Sequence, residues 1–299
     1  MKKALLVGIN RYPDPRNELK GCVNDVRQMA DTLKTRYGFP GDGNMRILTD
    51  ARATTKAILD GLAWLTAGAS PGASLVFHYS GHGSQVPDRN GDETTDRLDE
   101  ILCPYDLDWD HPLTDDDLAA ACDDIPQGAL LTVILDCCHS GTGLRDVAHD
   151  RRRFLPHPET HRNGLNLDRR PRRQNPGLPC LPRHLAIHGR RFGVSVTRAN
   201  AVLIAACRDD QTSADAWIDG GYHGAHTYHL CRTLANGTRD LTYRALVSAT
   251  GTALARAGFD QVPQLEGPAR LLSSGFLEPP PGTRPPGNTA IWAQSPVSR

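Results

Sequence analysis

The chain has 299 residues but no apolar run approaching the ~18–20 residues of a membrane-spanning helix, so no membrane partner is expected. It has no excess of either charge: Lys+Arg and Asp+Glu are both 34, which gives no electrostatic reason to expect nucleic acid or an anionic lipid surface. It lacks a disulfide-dense framework. Eight cysteines in a chain of this length, two of them adjacent at Cys137-Cys138, fit a reducing cytosolic compartment better than secretion. It has no lysine beyond Lys56. The opening lysines and apolar residues look briefly like a secretion signal, but Asn10 and Arg11 interrupt a block too short for one, and a first buried strand is the better reading.

The neutral total hides two opposed blocks. From Asp88 to Asp124 there are 14 carboxylates against Arg89 and Arg97, a net charge of −12. From Asp150 to Arg191 there are 11 arginines against three acids, a net of +8, with frequent proline and no sustained periodicity. The second block reads as an insert or linker with accessible backbone. Such blocks repel themselves unless something neutralises them.

Hydrophobic periodicity predicts strands over Lys3–Ile9, Met45–Leu48, Ala73–Tyr79, Ala129–Leu135 and Ala201–Ala206. Helical patterns run from Asn24 to about Gly38, from Thr54 or Thr55 to about Leu65, over Gly224–Ala235 and over Thr242–Ala257. Thr114 followed by Asp115, Asp116 and Asp117 is an N-cap with acids in the first turn. Strands alternating with helices imply an α/β fold, a mostly parallel sheet covered on both faces. In such sheets chemistry collects beyond the carboxyl ends of the strands.

Two reactive clusters fall at that edge. Ser80-Gly81-His82-Gly83 follows the third strand, and Asp136-Cys137-Cys138-His139-Ser140-Gly141 follows the fourth. A cysteine nucleophile needs a base for its proton and donors for the oxyanion. Neighbouring parallel strands lie ~4.8 Å apart, so His82 and Cys138 can meet there. The backbone N–H groups of Gly83 and Cys138 are the natural oxyanion hole. Cys137 is a rival nucleophile whose side chain should point to the opposite side, into the core. His139 is a rival base, disfavoured because consecutive side chains rarely converge on one atom.

With these residues in view, the sequence resembles the metacaspases and their bacterial relatives in the caspase clan. The resemblance rests on His78-Tyr79-Ser80-Gly81-His82-Gly83-Ser84 and on the Asp136–Gly141 cluster. Gly8-Ile9-Asn10-Arg11-Tyr12, Gly21-Cys22-Val23-Asn24-Asp25, Asp99-Glu100 and Asp209-Asp210-Gln211-Thr212-Ser213-Ala214-Asp215 add to it, in order from about residue 2 to 277. It implies a caspase-like three-layer fold around a six-stranded sheet and a dyad of His82 and Cys138, the second cysteine of the pair. It divides the chain into a large-subunit-like part (1–149), the Arg/Pro-rich insert (150–195), a small-subunit-like part (196–277) and a Pro-rich tail (278–299). By the same analogy the protein is a monomer.

Substrate preference follows from charge. Asp136 shares a strand face with Cys138, and the resemblance puts Asp25 in the same S1 pocket, with Cys22 and Ser80 nearby. Two carboxylates in a narrow cleft favour a guanidinium or an ammonium, so cleavage after Arg, with Lys weaker or comparable, is expected in protein or peptide substrates. The arginine-rich insert is then a site for self-cleavage. The acidic stretch from Asp88 to Asp99 places oxygens like an EF-hand loop but has its glycine fourth rather than sixth. The resemblance instead implies an activating calcium ion on Asp99, Asp115, Asp116 and Asp146, the last standing one residue from the expected slot, which Arg145 fills. Cys180, His184 and His188 have helical spacing for a metal, but Pro179 and Pro182 argue against a helix there. Two rival readings are a catalytically silent scaffold of the same fold and a calcium-binding signalling module.

Overall fold

The computed structural model describes residues 1–87, 98–123, 125–138, 151–158, 200–208 and 210–279. Alternation of apolar residues sets its layers. On strand β1 (Lys2–Gly8), Leu5 and Val7 face one side of the sheet, whereas Ala4 and Leu6 face the other. β1 is flanked by β2 (Met45–Thr49) and β3 (Ser74–Ser80), and β3 pairs in turn with β7 (Leu130–Asp136). β9 (Ala201–Ala205) continues the parallel run and the short β12 (Gln264–Glu266) closes it antiparallel, giving the order β12-β9-β7-β3-β1-β2. Every residue of β3 and β7 is buried, as a strand covered on both faces requires.

The first face is covered by α1 (Cys22–Tyr37), α4 (Ala225–Asn236) and α5 (Tyr243–Arg256), whose Val26, Met29, Leu33, Leu230, Leu234 and Leu246 pack on Ala4, Leu6, Val76 and Ile134. The second is covered by α2 (Thr55–Thr66) and α3 (Asp115–Asp123), through Ile58, Leu62, Leu65 and Leu118 against Leu5, Val7, Phe77 and Val133. Local chemistry sets the ends. The Thr54 hydroxyl accepts from the Ala57 amide and caps α2, and Gly38 ends α1 in the left-handed region at φ 63°. A four-residue α6 (Ala269–Leu272) completes the described helices. None of the described helices is long and apolar enough to cross a membrane.

Two small sheets sit beyond the carboxyl edge. One holds β4 (Gly83–Pro87), β5 (Leu98–Leu102) and β6 (Leu113–Thr114); the other holds β8 (Arg151–Arg152), β10 (Ala214–Ile218) and β11 (Gly221–Gly224). Asp219 and Gly220, at φ 53° and 88°, make the tight turn between β10 and β11. The five strands predicted from periodicity are present with ends within a residue or two. One expectation changes: Arg151–Leu155, assigned to an irregular insert, is extended chain paired to β10 and Gly83. Cys180, His184, His188 and nearly all of the tail lie outside the described residues.

Candidate active site

β3 and β7 end in register, with Ser80 opposite Asp136, and His82 and Cys138 each stand two residues past that pair. Gly81 bridges them, its amide reaching the Asp136 carbonyl at 3.4 Å, and a Cβ there would press on the hydroxyls of Tyr12 and Tyr79. The His82 main chain is pinned on both sides. Its N–H donates to the Tyr12 hydroxyl at 2.9 Å, and its carbonyl accepts from Tyr79 Oη at 2.7 Å and the Cys103 amide at 3.1 Å. The imidazole tilts against the Tyr12 ring with centroids 4.9 Å apart.

The tautomer of His82 follows from one contact. Nε2 lies 2.8 Å from the Asn17 carbonyl, which can only accept, so Nε2 carries the hydrogen. Nδ1 is buried without a hydrogen-bond partner, and the ring lies near the Arg153 main chain. Burial is the main reason the imidazole pKa falls to about 4. At neutral pH the ring is therefore uncharged, with a free lone pair on Nδ1, the state a general base requires.

Cys138 is fully buried, its Sγ against the Ser213 main chain, whose amide donates to it and whose carbonyl lies at 3.5 Å. Cys137 points into the core formed by β3, β7 and α2, and burial raises its thiol pKa well above the ordinary value. His139, the rival base, and Asp146 lie outside the described residues.

The cleft is filled by the chain's own Arg153. Its carbonyl accepts from the amides of both Gly83, at 3.0 Å, and Cys138, at 3.2 Å, the two donors expected to form the oxyanion hole. Its amide donates to the Ser213 carbonyl at 3.2 Å, Arg152 and Arg151 pair antiparallel with Ala214 and Asp215, and beyond it the Leu155 amide donates to the Gly83 carbonyl at 3.0 Å.

The Arg153 side chain has no exposed surface. Nη2 contacts Asp25 at 2.8 Å and Asp215 at 3.0 Å, while Nη1 contacts Ser80 Oγ at 2.6 Å and lies 3.3 Å from the Asp136 carboxylate. The acids are fixed from behind. The Gly224 amide donates to Asp25, the Ser213 hydroxyl and the Thr227 amide and hydroxyl donate to Asp136, and the Lys20 and Gly21 amides donate to Asp215. Cys22 is buried at the pocket wall, where burial raises its thiol pKa against the opposing field of Arg153.

The two predicted acids titrate differently. Burial would raise Asp136, but Arg153, His226 and the Ser213 and Thr227 hydrogen bonds outweigh it and hold the carboxyl at about 2. For Asp25 burial prevails over Arg153, and its pKa is raised. Asp215 was missed as a pocket residue. Its sequence block was noticed, but its role depends on pairing of β10 with β8 and on Lys20 and Gly21, almost two hundred positions earlier.

Asp99 is buried on β5, and Asp115 and Asp116 open α3. Among the described residues no group of three or more His, Cys, Asp or Glu side chains is arranged to hold a metal ion, so the expected calcium ligands are not brought together by those residues alone.

The family model for the metacaspase, peptidase C14 domain matches residues 2–147. Metacaspase-1 of Scheffersomyces stipitis is 35% identical over 286 residues, covering 88% of this chain and 70% of that protein. The chain belongs to the metacaspase family. Metacaspase-1 of Arabidopsis thaliana is 34% identical over 267 residues, covering 87% of this chain and 66% of the relative. Among solved structures, the crystal structure of protein GSU0716 from Geobacter sulfurreducens is similar, with a TM-score of 0.61 at 26% identity over 94% of this chain and 98% of that one. As a metacaspase the protein is a cysteine-type endopeptidase with a caspase-like α/β fold, acting on protein substrates.

Proposed function

We propose that this metacaspase cleaves peptide bonds after arginine, with Cys138 as nucleophile, His82 as general base and acid, and the Gly83 and Cys138 amides as oxyanion hole. The observation that carries the reading is Arg153, whose guanidinium meets Asp25, Asp136, Asp215 and Ser80 while its carbonyl receives both amides. His82 Nδ1 takes the thiol proton as Cys138 Sγ attacks the carbonyl carbon. The oxyanion gathers charge at two fixed N–H donors. Collapse breaks the C–N bond and His82 returns the proton to the leaving amine; water then hydrolyses the thioester and restores the thiol.

Arg should exceed Lys, because two guanidinium nitrogens engage separate partners and an ammonium cannot span both sets. The test is turnover of fluorogenic peptides ending in Arg, Lys or Asp by the unsubstituted chain, Cys138→Ala and His82→Ala. Arg turnover that survives Cys138→Ala would remove the nucleophile from this account, and a preference for Asp would remove the pocket.

Calcium activation is part of the proposal but enters no step above. Asp99, Asp115 and Asp116 offer the hard oxygen donors that calcium takes, and the pairing of Ile101 with Thr114, the residue before Asp115, supports considering them one acidic region. Arg-peptide turnover should rise with added calcium and fall with a chelator, and Asp115→Asn/Asp116→Asn should abolish that response. Cys22, Cys103, Cys138, Cys207 and Cys231 are free thiols, which supports a cytosolic setting. We take the working state to be a monomer.

A further inference from the structure

We infer that the outer edge of β4 is a binding site for the substrate residues that follow the cleaved bond, and that it selects an apolar side chain two places after the arginine. The inference rests on the Arg-directed reading above and goes beyond it by giving the substrate a second point of recognition, on the leaving side. β4 stands at the end of its three-stranded sheet, with β5 on one side only. A strand edge of that kind presents N–H and C=O groups to an extended chain laid beside it. In this structure that chain is Arg153–Leu155, joined to Gly83 by a parallel bridge at Phe154.

Gly83 ties this contact to the reaction and not only to this segment. Its amide donates to the Arg153 carbonyl at 3.0 Å, in the place proposed for the oxyanion, and its carbonyl accepts the Leu155 amide at 3.0 Å. These are the two halves of one parallel bridge. A substrate whose arginine carbonyl lies against the Gly83 amide, and whose chain runs on extended, therefore brings the N–H of its second following residue to the Gly83 carbonyl. A short Arg reporter that ends in a dye has no such group. The Ser84 hydroxyl donates to the Leu155 carbonyl, so both polar groups of that residue's main chain are paired with β4.

Side-chain selection follows from the surroundings. Leu155 is partly buried and packs, as Leu107 does, against the apolar cluster on the α2 and α3 side of the sheet, to which Leu102 and Leu113 belong. An aliphatic side chain gains by leaving water there, whereas a carboxylate would give up its hydration against apolar neighbours. Two places further on, His157 sets its ring edge-on to Trp109, with centroids 4.9 Å apart, so the chain stays on the protein surface beyond Leu155. The substrate class is accordingly an extended protein segment carrying arginine and, two places on, an aliphatic residue.

The experiment gives the full chain internally quenched peptides that share an arginine and every residue before it. The second residue after the arginine is leucine, N-methylleucine or aspartate, and a control peptide carries alanine in place of the arginine. kcat/KM for the leucine peptide should exceed that of the other two by about tenfold, one having lost the N–H and the other the apolar side chain. Ser84→Ala should cost the leucine peptide about fivefold more than it costs a short Arg reporter, because only the longer peptide presents a carbonyl to that hydroxyl. A leucine peptide within twofold of the N-methyl and aspartate peptides, with arginine still required, overturns this inference and leaves the proposed function standing. Equal losses for the long and short substrates in Ser84→Ala overturn it too, by taking the preference away from β4. Cleavage of the alanine control as fast as the arginine peptide overturns the underlying reading instead, as does a lack of turnover of every arginine peptide.

Discussion

Asp215→Asn is the most discriminating perturbation of the proposed specificity pocket, because it removes a charge while keeping nearly the same shape. Asp215 Oδ1 lies 3.0 Å from the Arg153 guanidinium and accepts the Gly21 amide at 2.8 Å, and Oδ2 accepts the Lys20 amide at 2.8 Å. A charge-assisted hydrogen bond of this kind contributes about 1.5–3 kcal/mol. Losing it should lower kcat/KM for Arg peptides by roughly 10–150-fold. The pocket grips the side chain, not the reacting carbonyl, so the loss should fall mainly on KM, with kcat changed little. Asparagine also leaves one of the two amides facing an N–H rather than an oxygen, a cost of about 1–3 kcal/mol in stability. A thermal melt therefore accompanies the kinetics. A folded Asp215→Asn enzyme with Arg-peptide kcat/KM within twofold of the unsubstituted chain would refute the three-acid pocket. A loss borne wholly by kcat would show that Asp215 acts elsewhere.

Three further outcomes follow from the same geometry. Gly224→Ala should abolish Arg-peptide turnover while leaving a folded chain, since its Cβ would collide with the Asp136 carboxylate and the Arg153 guanidinium; undiminished turnover would mean that the pocket does not hold a guanidinium there. Cys137→Ala should keep turnover within a few fold and cost about 1 kcal/mol of stability, because Cys137 packs in the core, and a loss of turnover matching Cys138→Ala would reverse the nucleophile assignment. Stability should drop between pH 6.5 and 4, because folding holds His82 and His226 at about 4 and His78 at about 3. The unfolded chain binds more protons in that window, so each of these histidines costs about 2 kcal/mol by pH 5, which Asp25 alone, shifted upward, cannot offset; a urea midpoint unchanged from pH 7 to 5 would contradict this.

The parallel sheet was legible because β1, β3, β7 and β9 are continuous apolar runs, and a central strand covered on both faces needs nothing else. The placement of His82 and Cys138 at the carboxyl edge was legible because each follows such a run, and Ser80 pairs with Asp136, so each stands two residues past a paired strand end. The small sheets were not. β8 has two residues and β6 two, too short to carry a period, and each exists only through partners far away in the chain. Arg153 was the hardest to see. In sequence it is one of 11 arginines in a segment whose composition signals solvation, and nothing local separates it from Arg151 or Arg152. The carbonyl of Asn17, which fixes the His82 tautomer, is backbone and leaves no residue-type signal at all.

The charge inventory explains why such a pocket holds a cation. α1 supplies Asp25, the end of β7 supplies Asp136 and β10 supplies Asp215, so three elements distant in sequence converge on one buried point. Three carboxylates out of water are tolerable only when a cation or bulk water meets them. With Arg153 in place each contacts the guanidinium, and burial still raises the pKa of Asp25 against the attraction of Arg153. A substrate offering aspartate would add a fourth negative group. At ~5 Å and an effective dielectric of about 20, each resident carboxylate would oppose it by about 3 kcal/mol, so a single such pair already disfavours Asp more than a hundredfold. An uncharged side chain of the same length would escape that repulsion but strand the resident acids without a partner. The proposed preference for arginine therefore rests on the convergence of the sheet edge, α1 and β10, and removing any one of those acids should relax it while the thiol and the imidazole keep their chemistry.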